Sequence, residues 1–179
     1  MAARPIVRLP DEVRTERLVL RRWREDDAEP LAAIYRQPEF LEHMPAKDLE
    51  ETRAQIDRFE RWWEVEGFSH WAAELDGRLV GRIGLLRHRD WPLGGAPVEV
   101  GWTLDREVWG RGLATEGGRA SLELWRRLLL DDAHVVSITR PANVRSRAVM
   151  ARLGLTYRGE TRWRGHAVVW HALGRRDAR

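Results

Sequence analysis

"VWGRGLATEGGRASLELW", Val108 to Trp125, decides how the chain is read. Four glycines (Gly110, Gly112, Gly117 and Gly118) and Arg111 crowd the start of a run with helical spacing. Glycine in a helix costs roughly 0.5–1 kcal/mol relative to alanine. Such clustering implies a backbone that bends there, or a partner that comes very close to it. Upstream, "VEVGWTL" (Val98 to Leu104) alternates as a strand and "DREVWGRG" is a loop. Thr115 to about Leu130 is the helix, and "HVVSITR" is a buried strand. Strand, helix, strand implies a parallel crossover. The first amides of a helix lack internal partners, and its dipole places partial positive charge on them. A glycine loop before them makes an anion site, and Arg111 adds a full charge.

The flanking sequence supplies the other elements. "RLVLRRW" (Arg17 to Trp23) alternates as a strand, and a short helix carrying Leu31, Ile34 and Tyr35 follows, ending near Pro38. "KDLEETRAQIDRFERWWEVEG" places Leu49, Ile56, Phe59 and Trp63 on one helical face, with Gly67 as its stop. "SHWAAELDGRLVGRIGLLRH" is a hairpin turning at Asp76-Gly77. "ANVRSRAVMARLG" is a helix capped by Asn143 and closed by Gly154. "LTYRGETRWRGHAVVWHAL" closes the chain with two strands. The expected order is β α α β β β α β α β β. That is an α/β (α+β) arrangement, a mixed and largely antiparallel seven-stranded sheet flanked by about four helices on both faces.

At 179 residues a single domain spanning 1–179 is expected. Hydrophobic residues at 43% and charged residues at 33% are a globular balance. No apolar run is long enough for a membrane span, and the N-terminus has no apolar stretch of signal type, so a cytoplasmic protein is the default. The absence of cysteine excludes disulfides, thiolate metal sites and an acyl-cysteine intermediate. The net charge of +3 rests on arginine, Lys47 being the single lysine. This reads as a solvated surface with some capacity for anions. The clusters "RRWR" and "RWR" interleave tryptophan, but a nucleic-acid binder would carry a larger and more focused excess. His166 and His171, five apart on a strand, face opposite sides, and no metal is expected.

Three ligands suit the glycine loop: a nucleoside triphosphate, a dinucleotide and coenzyme A. The first needs a lysine followed by Ser or Thr, and none is present. The second needs G-x-G-x-x-G directly after a strand. Here Thr115 stands in the third glycine's place and five residues separate the strand from Gly110.

"EVGWTLDREVWGRGLATEGGRASLELW" followed by "ANVRSRAVMARLGL" resembles the GNAT superfamily of acetyl-CoA-dependent N-acetyltransferases. "TERLVLRRWREDDAEPLAAIY" resembles its branch of Rim-type ribosomal-protein N-terminal acetyltransferases. The resemblance implies acetyl-CoA as co-substrate, its pyrophosphate on the amides of Gly110, Arg111, Gly112, Leu113, Ala114 and Thr115. Gly112 and Ala114 match the family's Gln/Arg-x-x-G-x-Gly/Ala loop, and Trp109 replaces its first residue. It also implies two splayed parallel strands, with backbone groups of Trp102, Thr103 and Leu104 bonding the pantetheine arm and Asn143 contacting the cofactor. Gly117 and Gly118 fall outside the phosphate role and are expected to allow close packing of the helix on the sheet.

The implied reaction moves an acetyl group directly to a neutral amine. An α-amino group (pKa ~7.7–8.0) is neutral near pH 7 far more often than a lysine (~10.4). Glu99 is the first candidate base and Glu74 the second. The family's usual tyrosine falls at Met150, so Ser146 is the expected partner of the leaving thiolate, with Tyr157 a fallback taken as core. The acceptor, a peptide α-amino group or a small amine, would lie among the early helices, the "DWPLGGAP" loop and the final hairpin, near Trp62, Trp63, Trp91, Trp163, Glu39 and Glu42. A homodimer is compatible with the family. A non-catalytic acyl-CoA sensor stays open as the alternative, because the tyrosine is missing.

Overall fold

The structure, a computed structural model, describes residues 7–128 and 134–174. Eight strands form one sheet in the order β1-β2-β3-β4-β5-β6-β8-β7. They are β1 (Glu12–Arg14), β2 (Leu18–Arg21), β3 (His70–Leu75), β4 (Arg78–Arg87), β5 (Val98–Leu104), β6 (His134–Thr139), β7 (Thr156–Trp163) and β8 (His166–Gly174). The helices are α1 (Ala28–Tyr35), α2 (Pro38–Leu41), α3 (Leu49–Glu66), α4 (Leu113–Leu128) and α5 (Val144–Arg152).

Two elements exceed the seven strands and four helices read from the sequence. β1 is three residues long with one half-buried side chain, too short to show alternation. α2 is a single turn opened by Pro38, the residue at which the sequence reading ended α1. Pro38 starts this turn because a first-turn proline loses no helical hydrogen bond. The helix read as Thr115 to about Leu130 begins at Leu113, and Leu129 and Leu130 lie outside the described residues.

Local chemistry places the remaining boundaries where the sequence does. Asp48 caps α3 by accepting from Glu51 N–H, and Gly67 ends it at φ 80°. Asp76 and Gly77 both take positive φ, 51° and 77°, as a tight hairpin turn requires. Asn143 Oδ1 accepts from Ser146 N–H at 3.0 Å and caps α5.

The sheet carries a core on each face. Leu18, Leu20, Ile83, Val98 and Val100 pack with Leu113, Leu122 and Trp125 of α4 and Met150 of α5. Leu31, Tyr35, Ile56 and Phe59 of α1 and α3 cover Ala72 and Leu79 on the other face. Side chains alternate along β5. Val98 and Val100 therefore point toward α4, while Glu99, Gly101 and Thr103 face the α1/α3 side.

All neighbouring strands are antiparallel except β5 and β6, which run parallel with α4 between them. Their pairing covers only Val98↔Val135 and Glu99↔Val136. Beyond Glu99 the strands part, β5 continuing on β4 to Leu104 and β6 on β8 to Thr139. A cleft thus opens at the carboxyl ends of the one parallel pair, where open α/β sheets bind ligands.

Candidate active site

The glycine loop sits at the mouth of this cleft. Gly110 and Gly112 adopt φ 74° and 81°, a region that strongly favours glycine. A Cβ on Gly110 would meet nothing within 4 Å, so the loop's outer side is open to a ligand. The amides of Gly110, Arg111, Gly112, Leu113, Ala114 and Thr115 donate to no protein acceptor among the described residues. Consecutive unpartnered amides at a helix start fit a pyrophosphate. Arg111 lies exposed beside them.

Gly117 and Gly118 act differently. A Cβ on Gly117 would stand 2.5 Å from Ile83 Cδ1, and one on Gly118 would stand 2.8 Å from Leu153 Cδ1. These glycines let α4 lie close on β4 and on the end of α5.

The loop is held from two sides. Arg17 Nη1 donates to Arg111 O at 2.8 Å, and Arg17 Nε donates to Glu116 Oε2 at 2.7 Å. Glu116 Oε1 also accepts from the Arg17 amide and the Thr15 hydroxyl. The first turn of α4 is thereby fastened to the β1–β2 turn. Burial alone would raise the Glu116 pKa, but these bonds outweigh it and hold it below its ordinary 4.5. A carboxylate with a depressed folded pKa stabilises fully above its unfolded value and loses that contribution as pH falls through the folded one. Glu116→Gln is expected to lower the melting temperature at pH 7 by about 4 °C. It is also expected to reduce the fall in melting temperature between roughly pH 5 and 3. Scanning calorimetry across that range checks it, and identical pH slopes for the two proteins would refute it.

On the other side, Trp109 Nε1 donates to Leu104 O at 2.8 Å, and the Arg145 guanidinium lies 5.0 Å from its ring centroid. Trp109 thus joins the end of β5 to the start of α5. The Asp105 amide donates to Val80 O on β4, so the Leu104 carbonyl of the same trans peptide points away from β4, toward the cleft. That carbonyl is already engaged by the indole. Of the three residues expected to bond a pantetheine arm, Trp102 keeps a carbonyl directed away from β4, whereas the Thr103 carbonyl faces β4 beside Gly81.

Glu99 stands where β5 and β6 begin to part. Its Oε1 accepts from the Ile138 amide of β6 at 3.2 Å, and Oε2 lies 2.6 Å from His88 Nε2. The carboxylate keeps 14% of its side-chain surface exposed, whereas His88 keeps 4%. His88 in turn packs edge-on against Trp163, with centroids 4.6 Å apart. Trp163 meets Trp91 at 5.3 Å, and Trp91 meets Trp170 at 6.0 Å. The indole of Trp163 and the Arg164 guanidinium both bind Asp90, fastening the "DWPLGGAP" loop to the β7–β8 turn. The expected acceptor region therefore brings Trp163, with Trp91 behind it, onto His88, the neighbour of Glu99.

Other expected members are committed elsewhere. Trp63 is buried core against Trp71, and Glu39 pairs with Arg106. Glu74, the second candidate base, accepts from Arg21 Nε at 2.8 Å, and Arg21 also binds the buried Asp27 through two nitrogens. This carboxylate serves a buried charge network. Met150 is fully buried in the core. Tyr157, expected as core, is 52% exposed and meets His171 edge-on, because β7 is the sheet's edge strand. Ser146 is half-buried on the first turn of α5, and its hydroxyl has no protein partner among the described residues.

Sequence reasoning passed over two groups. Nothing local in the sequence marks the contact of His88 with Glu99. His70 lies buried on β3 with Lys47 in the same electrostatic neighbourhood around Arg82. Burial, then the charge of Arg82, lowers the Lys47 pKa. Among the described residues no three His, Asp or Glu side chains gather as metal ligands.

Comparison with known proteins agrees with this geometry. The profile of the Acetyltransferase (GNAT) domain matches residues 17–156. An acetyltransferase from Agrobacterium tumefaciens str. C58 superposes with a TM-score of 0.78 at 24% identity, covering 96% of this chain and 99% of its own. RimL, a ribosomal L7/L12 alpha-N-protein acetyltransferase solved with coenzyme A, gives 0.72 at 20% identity, over 89% and 95%. The microcin C7 self-immunity acetyltransferase MccE, solved with acetyl-CoA and AMP, gives 0.75 at 14% identity, over 95% and 99%. The chain belongs to the GNAT acetyltransferase domain family, and its chemistry is acetyl-CoA-dependent acyl transfer.

Proposed function

We propose that the protein transfers the acetyl group of acetyl-CoA directly to a primary amine, a peptide α-amino group or a small-molecule amine, with Glu99 as the general base. The observation that carries this reading is the alignment of three features along one cleft. Six unpartnered amides stand at its mouth, splayed backbone lines its wall, and a carboxylate poised by His88 and Ile138 stands at its base. Pyrophosphate would rest on Gly110 to Thr115, and the pantetheine arm would run beside Trp102 and Thr103 toward Glu99. Asn143 and Ser146 border the arm from α5.

The chemistry follows from the amine. An ammonium has no lone pair, so nitrogen attacks as the neutral base. Its lone pair forms the C–N bond, the carbonyl oxygen takes up negative charge, and the C–S bond breaks as the carbonyl re-forms. The nitrogen's surplus proton passes to Glu99. The thiolate leaves to Ser146 or to solvent. His88 holds the carboxylate oriented. A Rim-type acceptor is supported by the likeness to RimL, and aromatic rings beside a carboxylate suit a cationic amine in its resting state. Acyl-CoA binding without turnover is the second reading, favoured by Met150 filling the tyrosine's position with an inert side chain.

Mass spectrometry of the purified protein with acetyl-CoA and a panel of small amines and short peptides decides between them. We expect acetylated α-amino groups, stoichiometric free thiol and no acetyl-enzyme intermediate. Tight acetyl-CoA binding with no thiol release above background would support the second reading. An acetyl group carried on the protein and passed on to the amine would refute direct transfer.

A further inference from the structure

His70 is 3% exposed, and its Nε2 has no protein partner among the described residues. Leaving a buried donor of this kind unsatisfied is costly, so a second partner is expected. Its other ring nitrogen identifies what the atom offers. Nδ1 lies 2.5 Å from Arg82 Nη1, and a guanidinium only donates, so Nδ1 accepts. Burial, then the charges of Arg82 and His88, push the His70 pKa well below its usual range and keep the ring neutral. The single ring proton therefore sits on Nε2, which is a donor with nothing to donate to.

The sheet aims this donor. His70 pairs with Gly84 on β4, and Gly84 pairs with Gly101 on β5. The imidazole lies flat along this row. A Cβ on Gly84 would stand 2.6 Å from His70 Cα and 3.2 Å from Cδ2. A Cβ on Gly101 would stand 3.1 Å from His70 Nε2 and 3.8 Å from Glu99 Cδ. Two glycines clear the path of the ring, and the second leaves a gap between the Nε2 proton and the Glu99 carboxylate. Gly101 is half-buried. The gap is polar on two sides and no side chain fills it, the setting in which an ordered water satisfies buried polar groups.

We propose that His70 is a positioning residue for acyl transfer. Its Nε2–H holds a water above Gly101 against Glu99, and that water carries the proton from the attacking amine to the carboxylate. The inference rests on the acetyltransferase reading with Glu99 as base. The step balances without another reagent. As the C–N bond forms, nitrogen gives its proton to the water oxygen, and the water gives one of its own protons to Glu99. The water is regenerated, and Glu99 returns the proton to solvent after the product leaves. A donor on the far side of the water turns its lone pair toward the amine and its hydrogen toward Glu99, which neither His88 nor Ile138 can do.

Two substitutions at His70 separate donor from acceptor. His70→Asn keeps an oxygen near the Nδ1 position for Arg82 and loses the Nε2 donor. His70→Gln keeps an amide donor near Nε2. We expect His70→Asn to lower kcat at least about tenfold with KM for acetyl-CoA within about twofold, and His70→Gln to recover most of the loss. Gly101→Ala places a methyl group in the gap and is expected to reproduce the His70→Asn defect, which keeps the question decidable should that variant fail to fold. A high-resolution crystal structure of the wild type is expected to show a water bonded to both Nε2 and Glu99, absent in Gly101→Ala. Unchanged kcat in both His70→Asn and Gly101→Ala would overturn the proposal, as would equal losses in His70→Asn and His70→Gln. If the wild type acetylates no amine, the functional reading fails, and presence or absence of the crystallographic water then decides whether His70 and Glu99 share one.

Discussion

Glu99→Gln is expected to lower kcat for amine acetylation by about 100- to 1,000-fold and to leave KM for acetyl-CoA within about threefold. The substitution preserves shape, and its carbonyl oxygen can still accept from the Ile138 amide. Only the capacity to take a proton is removed. The cofactor's pyrophosphate would rest on amides of another segment, so ground-state binding stays. Glu99 and His88 lie 2.6 Å apart, so the neutral side chain also deprives His88 of its carboxylate partner. Steady-state kinetics with an active amine provide the check. A kcat within threefold of wild type would remove Glu99 as the base.

The second large effect concerns the frame that holds this cleft. Gly81→Ala is expected to destabilise the protein by about 3–5 kcal/mol, a large share of the 5–15 kcal/mol that holds most domains together. Gly81 has φ 139°, and a Cβ there would lie 2.1 Å from the Thr103 carbonyl oxygen and 2.9 Å from Leu104 Cα. Both are backbone atoms, so no rotamer change relieves the clash and β4 must move from β5. The register shift at Ala73/Glu74 leaves Val80 as the extra residue of a bulge just before Gly81. Val80 O takes the Asp105 amide that ends β5. Gly77→Ala is the control: its φ is also positive, 77°, but nothing lies within 4 Å of the new methyl. That change is expected to cost about 1 kcal/mol. Urea unfolding followed by circular dichroism compares the two, and equal midpoints would show that the close approach at Gly81 is relieved cheaply.

Some of this was legible in the sequence, and the reasons are local. The Gly110–Thr115 loop, the Asn143 cap and the Asp76-Gly77 turn each depend on backbone needs satisfied within a few residues. Those needs leave a mark in composition. The partners of Glu99 leave no such mark. His88 meets it only because β4 and β5 pair Arg87 with Val98, which places His88 and Glu99 on one face as diagonal neighbours. The irregular loop from Arg89 to Pro97 hides that register from any local rule. His70 is further removed still, reaching Gly101 across a third strand. Glu74, the second candidate base, shows the opposite case. Its position on a strand near the site was readable, but its capture by Arg21 was not.

The choice of arginine over lysine has a practical consequence. Thioesters acylate free amines slowly without catalysis, and a guanidinium, protonated at any working pH, resists that reaction. Apart from its N-terminus, the chain offers acetyl-CoA one side-chain amine, Lys47. That amine is half-buried with a lowered pKa. Self-modification is thereby confined to one internal address. A gain of a single acetyl mass on the intact protein can be traced to it by one peptide, leaving the remaining signal in a turnover assay to the true acceptor.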